Sequence, residues 1–244
     1  MQIRIPYTPR KFQNYLHQRI RDYRWSVLVC HRRFGKTVCM INHLLMAALT
    51  SKVSNPRYAY IAPTFKQAKS IAWDYIKQFT HKIPGVKFNE TELRVDLPNK
   101  ARITLLGSEN CDGLRGIYLD GCVIDEYANV NDRLFPEIIR PALSDRKGFC
   151  IFIGTPQGMN NNFYELFQHA KGADDWFYFK AKASETKVVD QDELTKAKEV
   201  MGENKFKQEF ECDWIANIEG SIYGKTLAKM ENQRQITRVP YDPS

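Results

Sequence analysis

Ser26-Val27-Leu28-Val29-Cys30-His31 is a short apolar, β-branched run, and Arg32-Arg33-Phe34-Gly35-Lys36-Thr37 follows it directly, at the head of a helical pattern that runs from Lys36 to Leu49. A strand, a loop with one glycine and a helix opening on Lys-Thr form the context that a phosphate-binding loop requires. Gly35 lets the backbone turn tightly and approach a phosphate. Successive backbone N–H groups then converge on one concavity, and the helix N-terminus favours an anion there. Lys36 supplies a mobile charge for β- and γ-phosphates, and the Thr37 hydroxyl is an oxygen ligand for Mg²⁺. The match to G-x-x-x-x-G-K-[ST] is imperfect, because Cys30 stands at the first glycine position. G-K-T alone is a weak signal, and a basic surface helix start at Arg32, Arg33 and Lys36 is the plain alternative. The expected nucleotide-binding set from this loop is His31, Arg32, Arg33, Phe34, Gly35, Lys36 and Thr37.

A second stretch, Cys122-Val123-Ile124-Asp125-Glu126, is an apolar strand that ends in two acids. Buried strands do not end in adjacent carboxylates for packing reasons, since each unpaired charge costs desolvation. A Mg²⁺ ion at that strand end explains both. Asp125 is then the metal ligand, and Glu126 orients and deprotonates an attacking water. A turn with two solvated acids is the alternative for this segment alone, and the phosphate loop upstream weighs against it. Together the two segments point to a nucleoside triphosphate and Mg²⁺ as cofactors.

The rest of the chain alternates strand-like and helix-like runs, the pattern of an α/β sheet. Arg10 to Tyr23 reads as a helix with a polar face, and Arg57 to Ala62 as a strand. Thr64 and Gln67 form a capping box. Ala68, Ile71, Ala72, Tyr75, Ile76 and Phe79 follow at helical spacing and predict one buried face. Leu93, Val95 and Leu97, then Ile103 and Leu105, alternate around the turn Pro98-Asn99-Lys100, which predicts a hairpin with one solvated face. Gly121 to Ile124 and Phe149 to Ile153 are further buried strands, and Asn131 to Arg140 a helix stopped by Pro141. Asp192 to Met201 and Glu203 to Cys212 read as two helices broken at Gly202. Phe206, Phe210 and Trp214 are expected to pack this small unit against the core. Gln233 to Ser244 carries two prolines and no periodicity.

The 244 residues suit one large domain with a small satellite, and 43% hydrophobic residues can build its core, which excludes a disordered chain. Lys and Arg exceed Asp and Glu by 8, a balance divided between simple solubility and an anionic partner. None of the 6 cysteines forms a C-x-x-C pair or has a zinc-finger histidine, so reduced, packed thiols are expected. Val38 to Leu49 is the longest apolar stretch, too short and too polar to cross a bilayer. The start, MQIRIPYTPRK, lacks a signal-peptide core. A soluble cytoplasmic protein without membrane contact is the expectation.

These motifs, in this order, resemble the large terminase subunit of tailed bacteriophages, the ATPase that packages DNA into a procapsid. Cys30-His31-Arg32-Arg33-Phe34-Gly35-Lys36-Thr37 is similar to the variant Walker A segment of that family, in which the first glycine is commonly replaced. Ile61 to Lys69 resembles the strand-loop-helix after it. Gly113-Leu114-Arg115-Gly116 and Val123 to Glu126 resemble the Walker B region, and Ile153-Gly154-Thr155-Pro156 the coupling motif. The resemblance implies a P-loop NTPase fold of the ASCE/RecA-like kind, a mostly parallel sheet flanked by helices, and ATP as the nucleotide. It assigns 1–185 to the ATPase domain, 186–232 to a small helical linker subdomain and 233–244 to a tail leading towards a nuclease domain. That nuclease is expected to lie outside this chain. The resemblance also assigns Gln13 to the adenine, Arg32 to a cis-acting role at the phosphates, Arg115 to the finger that enters a neighbouring subunit's site, and Thr155 to sensing the γ-phosphate. Gly113 and Gly116 make Arg115 the preferred finger, since they place it on a loop able to reach outward.

By the same resemblance the partners are double-stranded DNA, the portal and procapsid, the small terminase subunit and further copies of the chain in a ring, within the host cytoplasm. Lys66, Lys69, Arg94 and Arg102 are candidates for DNA contact only through their charge. Two other readings stand beside this one. The first RecA-like half of a superfamily 2 helicase carries similar loops but needs a second half. A scaffold with a decayed nucleotide site conflicts with the presence of Lys36, Thr37, Asp125 and Glu126.

Overall fold

Val27-Leu28-Val29 and Cys150-Ile151-Phe152-Ile153 lack the apolar–polar alternation of a half-solvated strand, as expected of strands covered on both faces. A computed structural model describes residues 5–215 together with 230, 233 and 235. Its sheet has the order β3-β4-β5-β2-β6-β7-β1-β8. The strands are β1 (Trp25–Cys30), β2 (Arg57–Ala62), β3 (Lys87–Asn89), β4 (Arg94–Asp96), β5 (Arg102–Gly107), β6 (Gly121–Ile124), β7 (Phe149–Gly154) and β8 (Trp176–Ala181). From β5 to β8 every neighbouring pair is parallel, and β3 and β4 add an antiparallel edge. This is the expected α/β, mostly parallel architecture.

Alternate residues of a strand point to opposite faces. Leu28, Tyr60, Val123 and Ile151 accordingly join one apolar cluster, and Val27, Val29, Ile61, Ile124 and Phe152 a second. The first is covered by α1 (Lys11–Arg19), α2 (Lys36–Thr50), α3 (Phe65–Ala68) and α4 (Asp74–Thr80). The second is covered by α5 (Arg140–Ala142) with the turn before it, and by α6 (Asn162–Gly172). Three further helices, α7 (Ala183–Thr186), α8 (Gln191–Met201) and α9 (Glu203–Phe210), close around Ala183, Leu194 and Phe210 as a third, smaller cluster.

The hairpin forms as read, with Val95 opposite Ile103, both buried, and Arg94 and Arg102 paired with Asp96 on the other face. Gly202, at φ +76°, separates α8 from α9. Phe206 and Phe210 stack in the small cluster, while Trp214 packs on Phe163, Tyr164 and Phe167 beside the sheet. All six cysteines are buried and free, and Cys122 and Cys150 face each other across β6 and β7 with sulfurs 3.4 Å apart. Among the described residues no helix is long and apolar enough to cross a membrane. Apart from Gln233 and Gln235, the tail 233–244 lies outside the described residues.

Two helices depart from their sequence patterns. Thr64 caps α3 as expected, its hydroxyl accepting from the Gln67 N–H. Between α3 and α4, however, Lys69–Trp73 is π-helical. The extra residue in that turn rotates the face. Ala68, Ala72, Ile76 and Phe79 are buried as predicted, but Ile71 and Tyr75 are 39% and 38% exposed and Trp73 is buried instead. The second correction is at Pro141, which does not end its helix. A π-helical turn at Leu134–Ile139 leads into α5, which carries Pro141 near its start. The wider π turn relieves the crowding of the proline ring against the carbonyl four residues earlier.

Candidate nucleotide site

β6, β7 and β1 are adjacent and parallel, so their carboxyl ends open on one edge of the sheet. Open α/β sheets bind ligands at that edge. Residues 31–35 follow β1, Asp125 and Glu126 follow β6, and Thr155 follows β7. Gly35 caps α2 in the left-handed region, at φ +87° and ψ 34°. A Cβ there would lie 2.9 Å from Gln13 Nε2, the movable end of a side chain, so it is the left-handed backbone that calls for glycine. Arg33 is also left-handed, at φ +69°.

Lys36 Nζ donates to Thr155 Oγ1 at 2.9 Å and to the Cys30 carbonyl at 3.1 Å. It stands 4.0 Å from Glu126 Oε1. One ammonium thus touches the ends of β1, β6 and β7. Asp125 is 3% exposed and accepts hydrogen bonds from the Tyr60 hydroxyl and from the Glu126 N–H. The Thr37 side chain lies beside the Asp125 carboxyl and favours its ionised form. Burial pushes the carboxyls of Asp125 and Glu126 above the usual carboxylate range. The Tyr60 hydrogen bond and then Lys36 oppose this at Asp125, and Lys36 opposes it at Glu126. Glu126 is itself left-handed, at φ +46°, a strained conformation of the kind held at functional sites.

Mg²⁺ takes oxygen donors, commonly one or two carboxylates completed by substrate phosphates. The Thr37 hydroxyl beside the buried Asp125 carboxylate is such a donor set, so the residues fit that ion. The cleft they border has a volume of about 410 Å³ and is also lined by Arg32, Arg33, Phe34 and Thr155.

Of the remaining predicted residues, His31, Gln13 and Arg115 do not line the cleft. His31 is fully buried. Its Nε2 faces Thr186 Oγ1 at 2.7 Å and its backbone N–H bonds the Ala181 carbonyl. Burial lowers its pKa. Most of the Phe34 side chain is core, 2% exposed and edge-on to His31. Gln13 is 4% exposed, and its amide is engaged at both ends, by the Arg10 N–H and by the Gly35 carbonyl at 3.2 Å. Arg115 is outside the cleft, on a loop of the opposite face, where Asp112 and Glu137 pair with it at 3.1 and 3.3 Å. Among the DNA candidates, Arg94 and Arg102 are engaged by Asp96, while Lys66 and Lys69 are exposed.

The cleft also contains residues that the sequence reading did not select: Val38, Ile71, Tyr75, Gln157 and Glu209. Gln157 was within reach of sequence reasoning, two residues past Thr155. Glu209 was not, because it comes from α9. That helix meets the loops after β1 and β7, where the Arg32 N–H donates to the Glu209 carbonyl at 2.7 Å and Gln208 Nε2 donates to the Pro156 carbonyl at 2.7 Å.

Residues 29–229 match the family model described as terminase large subunit, T4likevirus-type, N-terminal. The chain is 25% identical over 209 residues to the terminase large subunit of Escherichia phage T5, covering 82% of this chain and 46% of that protein. It therefore spans less than half the length of that relative. The large terminase ATPase domain of Thermus phage P74-26 superposes with a TM-score of 0.73 at 21% identity, covering 86% of this chain and 96% of that one. A large terminase from another thermophilic bacteriophage, in complex with ADP, superposes with a TM-score of 0.73 at 13% identity, covering 85% and 54%. At these identities the likeness is one of fold.

Proposed function

We propose that this chain, which belongs to the terminase large subunit family, T4likevirus-type, as its N-terminal part, hydrolyses ATP with Mg²⁺ to drive double-stranded DNA into a procapsid. The observation that carries the reading is the meeting of Lys36, Thr155 and Glu126 at the ends of three adjacent strands. The ADP bound to the large terminase of the thermophilic phage agrees with the choice of nucleotide.

In this mechanism Gly35 and its neighbours bring backbone N–H groups to the phosphates, and Lys36 spans the β- and γ-phosphates. Thr37 and Asp125 would hold Mg²⁺, which would neutralise charge on the phosphate oxygens. Glu126 orients a water and takes its proton on the carboxylate. Its raised pKa makes it a stronger base, while Lys36 at 4.0 Å favours the ionised form that can act. Thr155 exchanges its contact with Lys36 for the γ-phosphate and passes the change to Pro156, whose carbonyl is held by Gln208. Residues 186–215, which carry α8 and α9, act as part of a helical subdomain that moves with that signal, and 216–229, 231 and 232 of its expected span lie outside the described residues. Arg32 acts in cis, and Arg115 serves the site of a neighbouring copy in a ring. The portal and procapsid, the small terminase subunit and the host cytoplasm complete the setting, and DNA is held by sequence-independent phosphate contacts.

The test compares Glu126→Ala with Lys36→Ala in ATP binding and phosphate release. Glu126→Ala is expected to keep ATP binding and lose turnover by about 10²–10⁴-fold. Lys36→Ala is expected to lose binding. Loss of binding in Glu126→Ala would remove Glu126 as the base.

A further inference from the structure

The helix after β2 exposes two large apolar side chains that its sequence periodicity assigns to the core. Ile71 and Tyr75 are 39% and 38% exposed, and both line the cleft that contains Gly35, Lys36 and Thr37. They are four residues apart and so neighbours on one helix face. The π-helical turn Lys69–Trp73 is what turns them outward, and such turns gather at functional sites. Val38, the residue after Thr37, lines the cleft with them.

Tyr75 has support from the core behind it. Its ring stacks on Phe79 at a centroid distance of 6.4 Å and an interplanar angle of 15°, and Phe79 is 6% exposed. Tyr7 meets Phe79 edge-on at 6.0 Å. A single exposed apolar residue needs no explanation. A flat ring buttressed by the core, beside an isoleucine and a valine and within the cleft of a phosphate loop, has the make-up of a ligand-binding wall. The basic residues of this cleft, Arg32, Arg33 and Lys36, suit the phosphates, which leaves the flat, apolar part of a nucleotide to be accommodated.

We propose that Tyr75, backed by Phe79 and flanked by Ile71 and Val38, is the platform on which the adenine base of the bound nucleotide stacks. The proposal rests on the ATPase reading of the same cleft. Base–aromatic stacking is worth about 1–3 kcal/mol, or about 5- to 150-fold in affinity. It acts on the base alone, so it separates a nucleotide from a bare phosphate chain.

Titration calorimetry of the chain with ATP and with inorganic tripolyphosphate, each with Mg²⁺, tests this. Tyr75→Ala is expected to bind ATP about 5- to 150-fold more weakly and tripolyphosphate as wild type does. Tyr75→Phe should bind both as wild type. Tyr75→Leu, which keeps an apolar contact on Phe79 and so guards against misfolding, should show the same selective loss as Tyr75→Ala. Undiminished ATP affinity in Tyr75→Ala, or equal loss for both ligands in Tyr75→Leu, would overturn the platform. Wild type that binds neither ligand, or Lys36→Ala that binds both normally, would overturn the ATPase reading instead.

Discussion

Arg115 is the residue whose partners are most informative. It lies outside the cleft formed by its own chain, 54% exposed at the side chain, between Asp112 and Glu137. Arg133 pairs with the same two carboxylates, at 3.6 and 2.9 Å. Exposed ion pairs of this kind are weak and screened by solvent, so Arg115 can leave them at small cost while Arg133 keeps both acids paired. An arginine supplied in trans contributes about 10³–10⁵ in rate. Arg115→Ala should therefore bind ATP normally and turn it over poorly in the assembled motor. Mixing Arg115→Ala with Glu126→Ala should restore part of the turnover, because a site with an intact base then receives an intact arginine from its neighbour. A mixed assembly no more active than either variant alone, or a fully active Arg115→Ala, would dispose of the trans assignment.

Among the elements, α9 connects the small helical unit to the segments that follow β1 and β7. Gln208 is 2% exposed and donates to the Pro156 carbonyl, so its loss leaves a buried acceptor unpaired, at a cost of about 1–3 kcal/mol. Gln208→Ala should speed amide exchange across α8 and α9 and leave α2 as protected as before. An exchange pattern unchanged in α8 and α9 would show that this contact does not hold the unit. Local pattern made much of the framework legible: β1, β2, β6 and β7 are apolar runs at the expected places, Thr64 and Gln67 cap as read, and Gly35 carries the conformation only glycine takes freely. The helical faces at Ile71 and Tyr75 were misread because a π turn leaves the composition untouched and changes only the number of residues per turn. β3 has three residues and two of them are exposed, too little for a pattern. Contacts between distant segments, such as Tyr60 on Asp125 or Glu209 on Arg32, carry no sequence signature at all. At β8, Trp176-Phe177-Tyr178-Phe179 is aromatic enough to be read as a strand, so there the signal was present.

At the scale of the whole molecule, two buried imidazoles tie stability to pH. His17 and His43 are 8% and 4% exposed, between α1 and α2, with Nδ1 atoms 3.2 Å apart. Tyr7 meets His17 Nε2 at 3.0 Å, Cys39 lies at 3.7 Å, and Arg21 adds positive charge nearby. Burial first, and then Arg21, lowers His17 to about 4, while burial, then His17 and then Arg21, lowers His43 to about 3. The unfolded chain takes up protons on both near the ordinary value of about 6.5, whereas the folded chain resists them. Their contribution is therefore full above about pH 6.5 and declines as pH falls towards 4 and then 3, by about 1.4 kcal/mol per pH unit for each group. Asp125 and Glu126 act with the opposite sign, because their raised carboxyls bind protons more readily in the folded chain. The two effects separate by difference. Denaturant midpoints measured from pH 7 to pH 5 should fall more steeply for wild type than for a His17→Gln, His43→Gln double variant. Parallel slopes would show that the stability of the α1–α2 interface does not depend on neutral imidazoles.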